Sequence, residues 1–255
     1  MDLKLKVSIV TVTYNEAKML HYALDSVKEQ TYRHIEHIVV DGNSTDKTKK
    51  IVSRYRRIKF YSREPLGVYD ALNYGLKQCT GDIVGFVHGS DALASATVIS
   101  KVVKAFEADP ELDFVYGDLQ YVEPVTRRRG RIYHADRFEP NQLIGGMAPP
   151  HPTLYMRRRT AEYIGEYSTD YPIAGDFDMW IRLFKDKSLK YKYIPELIAE
   201  MTTGGLSTRW RARLFYNNIE KLRVLHRNGL PANPIRLGMK YLYVIRDAIS
   251  DIFNG

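Results

Sequence analysis

VSIVTVTYNE (Val7 to Glu16) and IEHIVVDGNSTD (Ile35 to Asp46) decide the fold. Each is an apolar, β-branched run of strand length that stops abruptly in small, polar, turn-forming residues. Between them, EAKMLHYALDSVKEQ sets Leu20, Ala23, Leu24 and Val27 at the three-and-four spacing of a helix buried along one side. The rhythm continues through IKFYS (58–62), DIVGFVH (82–88) and FVYGDL (114–119), with helical patterns in TDKTKKIVSRY and GVYDALNYGLKQC. Strands alternating with helices of this length predict βαβ units with right-handed crossovers. The fold class is therefore α/β: a Rossmann-like, mostly parallel sheet with helices on both faces.

The chain of 255 residues, 44% hydrophobic and 27% charged, suits a globular protein with a sizeable core. Its single cysteine, Cys79, excludes an intrachain disulfide framework and a cysteine-based zinc site, and points to a reducing, cytoplasmic setting. Two lysines precede the first apolar run, but that run breaks at Tyr14-Asn15-Glu16 without a small-residue cleavage pattern, so a signal peptide is not expected. No window approaches the roughly 18 uncharged apolar residues of a membrane span. The net charge of +8 is uneven, because residues 205–255 carry nine Lys or Arg against three Asp or Glu, a net +6.

After Tyr121 the pattern changes. EPVTRRRGRIYHADRFEPNQLIGGMAPPHP reads as a hairpin and a long connection, followed by a strand at TLYMR (153–157), a short helix near RRTAEYIG, a helix at DFDMWIRLFKD (176–186) and a strand at YKYIPEL (191–197). MTTGGLST (201–208) reads as a flap or a connector. Two helices then form a basic tail, the second with Leu237, Tyr241, Ile245, Ala248 and Ile252 along one face. Such helices either pack on the core with arginines outward or rest on an anionic membrane surface.

In open α/β sheets ligands bind beyond the carboxyl ends of the strands, where crossovers diverge. Those ends carry Thr11, Thr13, Tyr14, Asn15 and Glu16, then Asp41 and Ser44, then His88 to Asp91. Neither G-x-G-x-x-G after the first strand nor a G-x-x-x-x-G-K-[ST] loop is present, so neither a dinucleotide fingerprint nor a Walker loop is supported. An Asp at a strand end can accept the ring N–H of uracil or guanine, with a tyrosine face for stacking, although Asp41 could equally be a turn residue and Tyr14 a loop aromatic.

VSIVTVTYNE, IEHIVVDGNSTDKT, GVYDALNYGLKQCTGDIVGFVHGSDAL, VYGD, PHPTLYMRR and IAGDFDMWIRL, in that order, resemble the family-2 inverting glycosyltransferases of the GT-A fold, notably bacterial enzymes that extend capsular, exopolysaccharide or lipopolysaccharide chains. The resemblance covers roughly residues 5–205. It implies a GT-A domain over 1–205, with a nucleotide-sugar-binding half (1–120) and an acceptor-binding half (121–205), ahead of the basic helical tail at 206–255.

Carried over by residue, the resemblance implies that Thr11, Tyr14, Glu16, Asp41, Asp70, Asn73 and Ser90 bind the donor, that Asp91 holds Mn²⁺ or Mg²⁺, and that Asp176 is the catalytic base. His151 is a further candidate metal ligand, and Asp178 and Trp180 are candidates on the acceptor side. One departure stands out: the D-x-D motif reads HGSD, with Gly89 at its first carboxylate position. Such cations can be held by one or two carboxylates with phosphates and water, so metal use survives the loss.

The chemistry fits one base. A departing diphosphate needs a counter-charge rather than the protonating acid of a glycosidase, so a single carboxylate accepting the acceptor hydroxyl's proton suffices. The expected partners are a nucleotide-sugar donor, UDP-linked before GDP-linked, and a glycan or lipid-diphosphate-linked acceptor at the inner face of the cytoplasmic membrane. The depleted HGSD keeps a catalytically silent nucleotide-sugar-binding subunit as the alternative. Nucleic acid is not an expected partner: RRRGR (127–131) lacks the interleaved aromatics of a binding module and is more simply a hairpin tip or a phosphate-facing loop.

Overall fold

The computed structural model describes residues 4–203 and 211–238. Its strands are β1 (Val7–Thr13), β2 (Ile35–Asp41), β3 (Ile58–Ser62), β4 (Ile83–Phe86), β5 (Ala92–Leu93), β6 (Phe114–Val122), β7 (Arg129–Tyr133), β8 (Tyr155–Arg157) and β9 (Tyr191–Thr202). The helices are α1 (Leu20–Lys28), α2 (Thr48–Val52), α3 (Val68–Lys77), α4 (Val98–Ala108), α5 (Arg158–Ile164), α6 (Gly175–Lys185) and α7 (Arg211–Arg227). The strands form one sheet in the order β3-β2-β1-β4-β8-β6-β9-β5, with β7 hydrogen-bonded to β6.

β1 to β4 are parallel, as the alternating pattern requires, whereas β8, β5 and β7 pair antiparallel to their neighbours. β1 lies between β2 and β4, so the crossovers leave it in opposite directions and the switch point falls at its carboxyl end. The register runs from Val7 opposite Ile35 to Thr13 opposite Asp41. Beyond β4, the Val87 amide donates to Val10 O at 3.0 Å and the Gly89 amide to Val12 O at 3.0 Å. TYNE, DGNSTD and HGSD are thereby laid side by side.

Successive strand residues face opposite sides of a sheet, and the core divides accordingly. Val10, Val12, Ile38, Val40, Phe114, Tyr116 and Met156 pack with α3 and α6 on one face. Val7, Ile9, Ile83, Val115 and Tyr155 pack with α1 and α4 on the other. Glycines permit two close approaches: a Cβ on Gly75 of α3 would lie 2.4 Å from Val10 Cγ1, and one on Gly85 of β4 would lie 2.2 Å from Tyr155 Cε1.

RRRGR forms the β6–β7 hairpin tip, with Arg127 in the left-handed region at φ 55°. The described part of the tail is not a separate body. Val224 and Leu225 of α7, together with Leu237, are fully buried and join the cluster that contains Trp180 and Phe184 of α6. The expected boundary at 205 therefore does not separate two cores. Tyr241, Ile245, Ala248 and Ile252, and the 204–208 part of MTTGGLST, lie outside the described residues. No helix among the described residues is long and apolar enough to cross a membrane.

Because the Tyr155 ring occupies the space beside Gly85, Gly85→Ala is expected to destabilise the fold by about 1–3 kcal/mol through overpacking. Denaturant unfolding measures this. Tyr155→Leu in the same chain should return part of the loss, and a Gly85→Ala protein as stable as wild type would show that the strands part without cost.

Candidate active site

The first two loops are tied together by Asn15. Its backbone sits at φ 53°, a conformation that asparagine tolerates better than most residues. Its Oδ1 accepts from the Thr45 amide at 2.9 Å and the Asp46 amide at 3.3 Å, while its own amide donates to Ser44 Oγ at 2.8 Å. Asp46 completes the clasp by accepting from the Ala17 amide at 3.0 Å. Asp41, fully buried, accepts from the Ser44 amide at 2.9 Å, the Ser44 hydroxyl and Ser62 Oγ at 3.2 Å. It thus organises the DGNSTD turn. Tyr14 is 54% exposed beside Gly42, where a Cβ would lie 3.1 Å from the tyrosine ring and 3.4 Å from Pro65 Cβ. The result is a flat aromatic shelf above a buried carboxylate.

Thr11 does not reach this shelf. It is fully buried in mid-strand, and its Oγ1 lies 2.9 Å from His37 Nε2. It lies two residues before the end of β1, opposite Val39, while Thr13 at the end of the same face meets Glu16 in the loops.

HGSD follows β4. Asp91, 4% exposed, accepts from the Thr202 amide at 3.1 Å and from Thr202 Oγ1 at 3.4 Å. Half-buried Glu16 accepts from Thr13 Oγ1 at 3.3 Å through Oε2. Burial, and then the charge of Asp91, push the Glu16 carboxyl up to about 7. Burial likewise pushes Asp91 up to about 7, opposed by the Thr202 bonds and by Arg127. Among the described residues neither carboxylate makes an ion pair, and no group of three or more His, Cys, Asp or Glu forms a ready-made metal cage.

At the other end of this short loop stands Asp176. It occupies the first turn of α6, half-buried, with Oδ1 accepting from the Phe177 amide at 2.7 Å and from Tyr69 OH at 3.4 Å. Burial raises its pKa, and the nearby cation Lys221 opposes that rise most strongly. Lys221 comes from α7, donates to Gly146 O at 2.6 Å and stands 4.6 Å from the centre of the Phe177 ring. The preceding residue, Glu220, accepts from the Ile173 amide at 2.9 Å and the Ala174 amide at 2.8 Å, holding the entry to α6. His88 feels the charge of Asp176, while burial and His151 depress its pKa to about 4 and keep it neutral.

Several expected site residues have structural partners instead. Asn73 clamps the Tyr167 backbone at both ends of its amide, donating to Tyr167 O at 2.8 Å and accepting from Tyr167 N at 2.8 Å. His151 is 5% exposed, with Nε2 2.7 Å from Tyr167 OH and its ring against Phe86 and His88. Asp70 sits 3.4 Å from Arg63, whose guanidinium lies over Tyr74. Asp178, about 200° around the helix from Asp176, pairs with Arg182 at 2.9 Å and accepts from Asn228 at 2.9 Å. Trp180 does not face an acceptor. It is 1% exposed and stacks on Phe184, on the side of α6 that Phe177, Ile181 and Phe184 bury in the core. Asn15, Glu220 and Lys221 do not stand out in the sequence as site residues, and only the position of Asn15 inside TYNE points to it.

Comparison with known proteins places this geometry. Residues 8–176 match the profile described as "Glycosyl transferase family 2". The chain is 31% identical over 206 residues to a "PGL/p-HBAD biosynthesis glycosyltransferase" of Mycobacterium bovis, covering 78% of each chain. Among solved structures it is similar to the Pyrobaculum calidifontis mannosyltransferase PcManGT in complex with GDP-Man and Mn²⁺ (TM-score 0.67, 21% identity, 97% of this chain and 76% of that one). It is also similar to S. aureus TarS 1-349 in complex with UDP (TM-score 0.63, 20% identity, 90% of this chain and 67% of that one). It spans 42% of a longer TarS chain. These likenesses carry the GT-A fold.

The buried Asp91 carboxyl gives a stability test. Its folded pKa is raised above the ordinary carboxylate value, so its contribution is fully present at acid pH and is lost as pH climbs from about 4 to about 7. In EDTA, Asp91→Asn should leave the melting temperature nearly unchanged at pH 4 and raise it at pH 8, by about 2–4 °C for each kcal/mol recovered in a chain of this size. Equal effects at both pH values would place the ionised carboxylate in a better-solvated setting than its burial implies.

Proposed function

The chain belongs to glycosyl transferase family 2, and we propose that it moves a sugar from a nucleotide-diphosphate-sugar donor to an acceptor hydroxyl with inversion, Asp176 serving as the base. The observation that carries this reading is the loop 88–91: His88 at its start lies within electrostatic range of Asp176, while Gly89 lies against the Glu16 carboxylate and Asp91 closes the loop, so one four-residue segment runs between the base and the donor-side carboxylates.

Tyr14 and Asp41 suit a nucleoside. The exposed ring offers a stacking face, and a carboxylate with about four lone-pair sites still has capacity after Ser44 and Ser62 are served. UDP is favoured and GDP is the second choice, a choice supported by the UDP and GDP-Man complexes of the two structural neighbours. The oxygen-rich surroundings of Asp91 fit Mg²⁺ or Mn²⁺, hard cations that take carboxylate, phosphate and water oxygens. Such a cation, when bound, would supply positive charge to the departing diphosphate.

Asp176 then accepts the proton of the attacking hydroxyl. Its raised pKa brings it nearer the working pH, which favours general-base action. Lys221 limits that rise. Tyr69 and the Phe177 amide hold Oδ1 in place, leaving Oδ2 for the acceptor. A growing glycan on a lipid-diphosphate carrier at the cytoplasmic membrane face is the acceptor we favour, supported by the family resemblance and by the net +6 over residues 205–255.

Asp176→Asn should lower turnover by about 100-fold or more, measured as nucleotide release over a panel of UDP- and GDP-sugars with acceptor glycolipid, while nucleotide binding persists. Turnover close to wild type would remove Asp176 from the mechanism. The full chain should also sediment with phosphatidylglycerol-containing vesicles at low salt and leave them at high salt, as charge-driven binding does. Equal sedimentation with neutral vesicles would count against a role for the basic residues.

A further inference from the structure

We infer that Glu16, from the loop after β1, supplies the carboxylate that position 89 lacks, forming with Asp91 a two-carboxylate site for a divalent cation. This deepens the metal reading of Asp91 proposed for the reaction and rests on it.

The space beside position 89 is already taken. A Cβ on Gly89 would lie 2.1 Å from Glu16 Oε2 and 2.8 Å from Thr13 Oγ1. The Glu16 carboxylate therefore occupies the path along which a side chain at 89 would project. An acid at 89 and the present Glu16 position exclude one another. The two loops cannot drift apart to relieve this, because the Gly89 amide is bonded to Val12 O and extends the β1–β4 pairing.

Glu16 is also held from its own side. Its carbonyl accepts from the Met19 and Leu20 amides, each at 2.9 Å, at the start of α1. The preceding Asn15 is fixed by its clasp on Thr45 and Asp46. The side chain thus leaves this turn toward HGSD, where Thr13 Oγ1 donates to Oε2 and no basic side chain among the described residues pairs with it.

Charge points the same way. Glu16 and Asp91 stand within electrostatic reach of one another, with no Lys or Arg ion pair to either among the described residues. The guanidinium near Asp91, that of Arg127, is committed to Glu200 at 2.9 Å, to Ser90 O at 3.5 Å and to the Tyr22 ring at 4.6 Å. Hydroxyl bonding alone does not call for a carboxylate, since a glutamine would accept the same bonds without repelling Asp91. Two carboxylates from neighbouring loops, with Asp91 Oδ2 free of hydrogen bonds among the described residues, suit Mg²⁺ or Mn²⁺, which bind one or two carboxylates together with phosphate and water oxygens.

The test measures binding rather than turnover. Free Mn²⁺ is followed by electron paramagnetic resonance as the full chain is titrated, alone and with saturating UDP or GDP, for wild type, Glu16→Gln, Asp91→Asn and the double variant Glu16→Ala/Gly89→Asp. Thermal unfolding confirms that each variant is folded. Glu16→Gln, which preserves shape and hydroxyl bonding, should weaken Mn²⁺ binding by at least about tenfold. The double variant, which moves the carboxylate to position 89, should recover most of it. Wild-type binding by Glu16→Gln, with binding lost in Asp91→Asn, would overturn the role of Glu16 and leave Asp91 as the ligand. No Mn²⁺ binding by the wild type with either nucleotide would overturn both. If the double variant does not fold, the comparison of Glu16→Gln with wild type decides alone.

Discussion

The candidate site depends on the in-register pairing of β1 with β2 on one side and β4 on the other. Thr13 opposite Asp41, and Gly89 bonded to Val12, bring three polar loops to one edge of the sheet. A slip of one residue between β1 and β2 would turn Val10 and Val12 out of one core and Val7 and Ile9 out of the other. Both faces are buried, so the register is fixed by the cores, and the position of the loops follows from it. Asn15 then converts adjacency into rigidity, since one amide side chain closes the first loop on the second.

The same edge concentrates carboxylates. Asp41 is held by three hydrogen bonds, from the Ser44 amide, the Ser44 hydroxyl and Ser62. Glu16 and Asp91 have fewer donors; burial raises both pKa values, and the charge of Asp91 adds to the rise at Glu16. Asp176 differs again, being buried but moderated by Lys221. Four acids near one sheet edge thus have three electrostatic settings, and the differences come from their partners rather than from depth alone. A site that handles a diphosphate needs this asymmetry: carboxylates that can accept a cation at one end, and one kept apart as a proton acceptor at the other.

Much of this is legible in the sequence, for reasons that vary by element. The β-branched runs of β1, β2 and β4 and the periodicity of α1 and α3 carry their own signals, and the order of motifs places Asp91 and Asp176 at strand and helix ends. Thr11 lies two residues inside β1, and its hydroxyl is committed to His37 on the neighbouring strand, a pairing that only the β1–β2 register reveals. Trp180 lies close in sequence to Asp176 and Asp178, but in the helix it falls among the core residues Phe177, Ile181 and Phe184. Asn73 and His151 are expected among ligands, but their bonds go to Tyr167, a partner 94 and 16 residues away, which no local pattern encodes. β5, only two residues long, carries too little pattern to be read as a strand.

The tail shows the same limit most clearly. By composition, residues after 205 form a basic appendage, and their charge suggests a surface role. In the structure α7 contributes two consecutive residues to the catalytic end: Glu220 satisfies the Ile173 and Ala174 amides at the start of α6, and Lys221 sets a positive charge beside Asp176. Amides at a helix entry lack intrahelical partners, so a carboxylate from another element both satisfies them and fixes where the helix begins. Asp176 lies in that first turn, so its position depends on a segment outside the 8–176 family match. Charge count alone cannot separate a lysine that meets solvent from one that faces a buried acid. That distinction arises only when Val224 and Leu225 bury α7 against α6, which brings Glu220 and Lys221 to the entry of α6 beside Asp176.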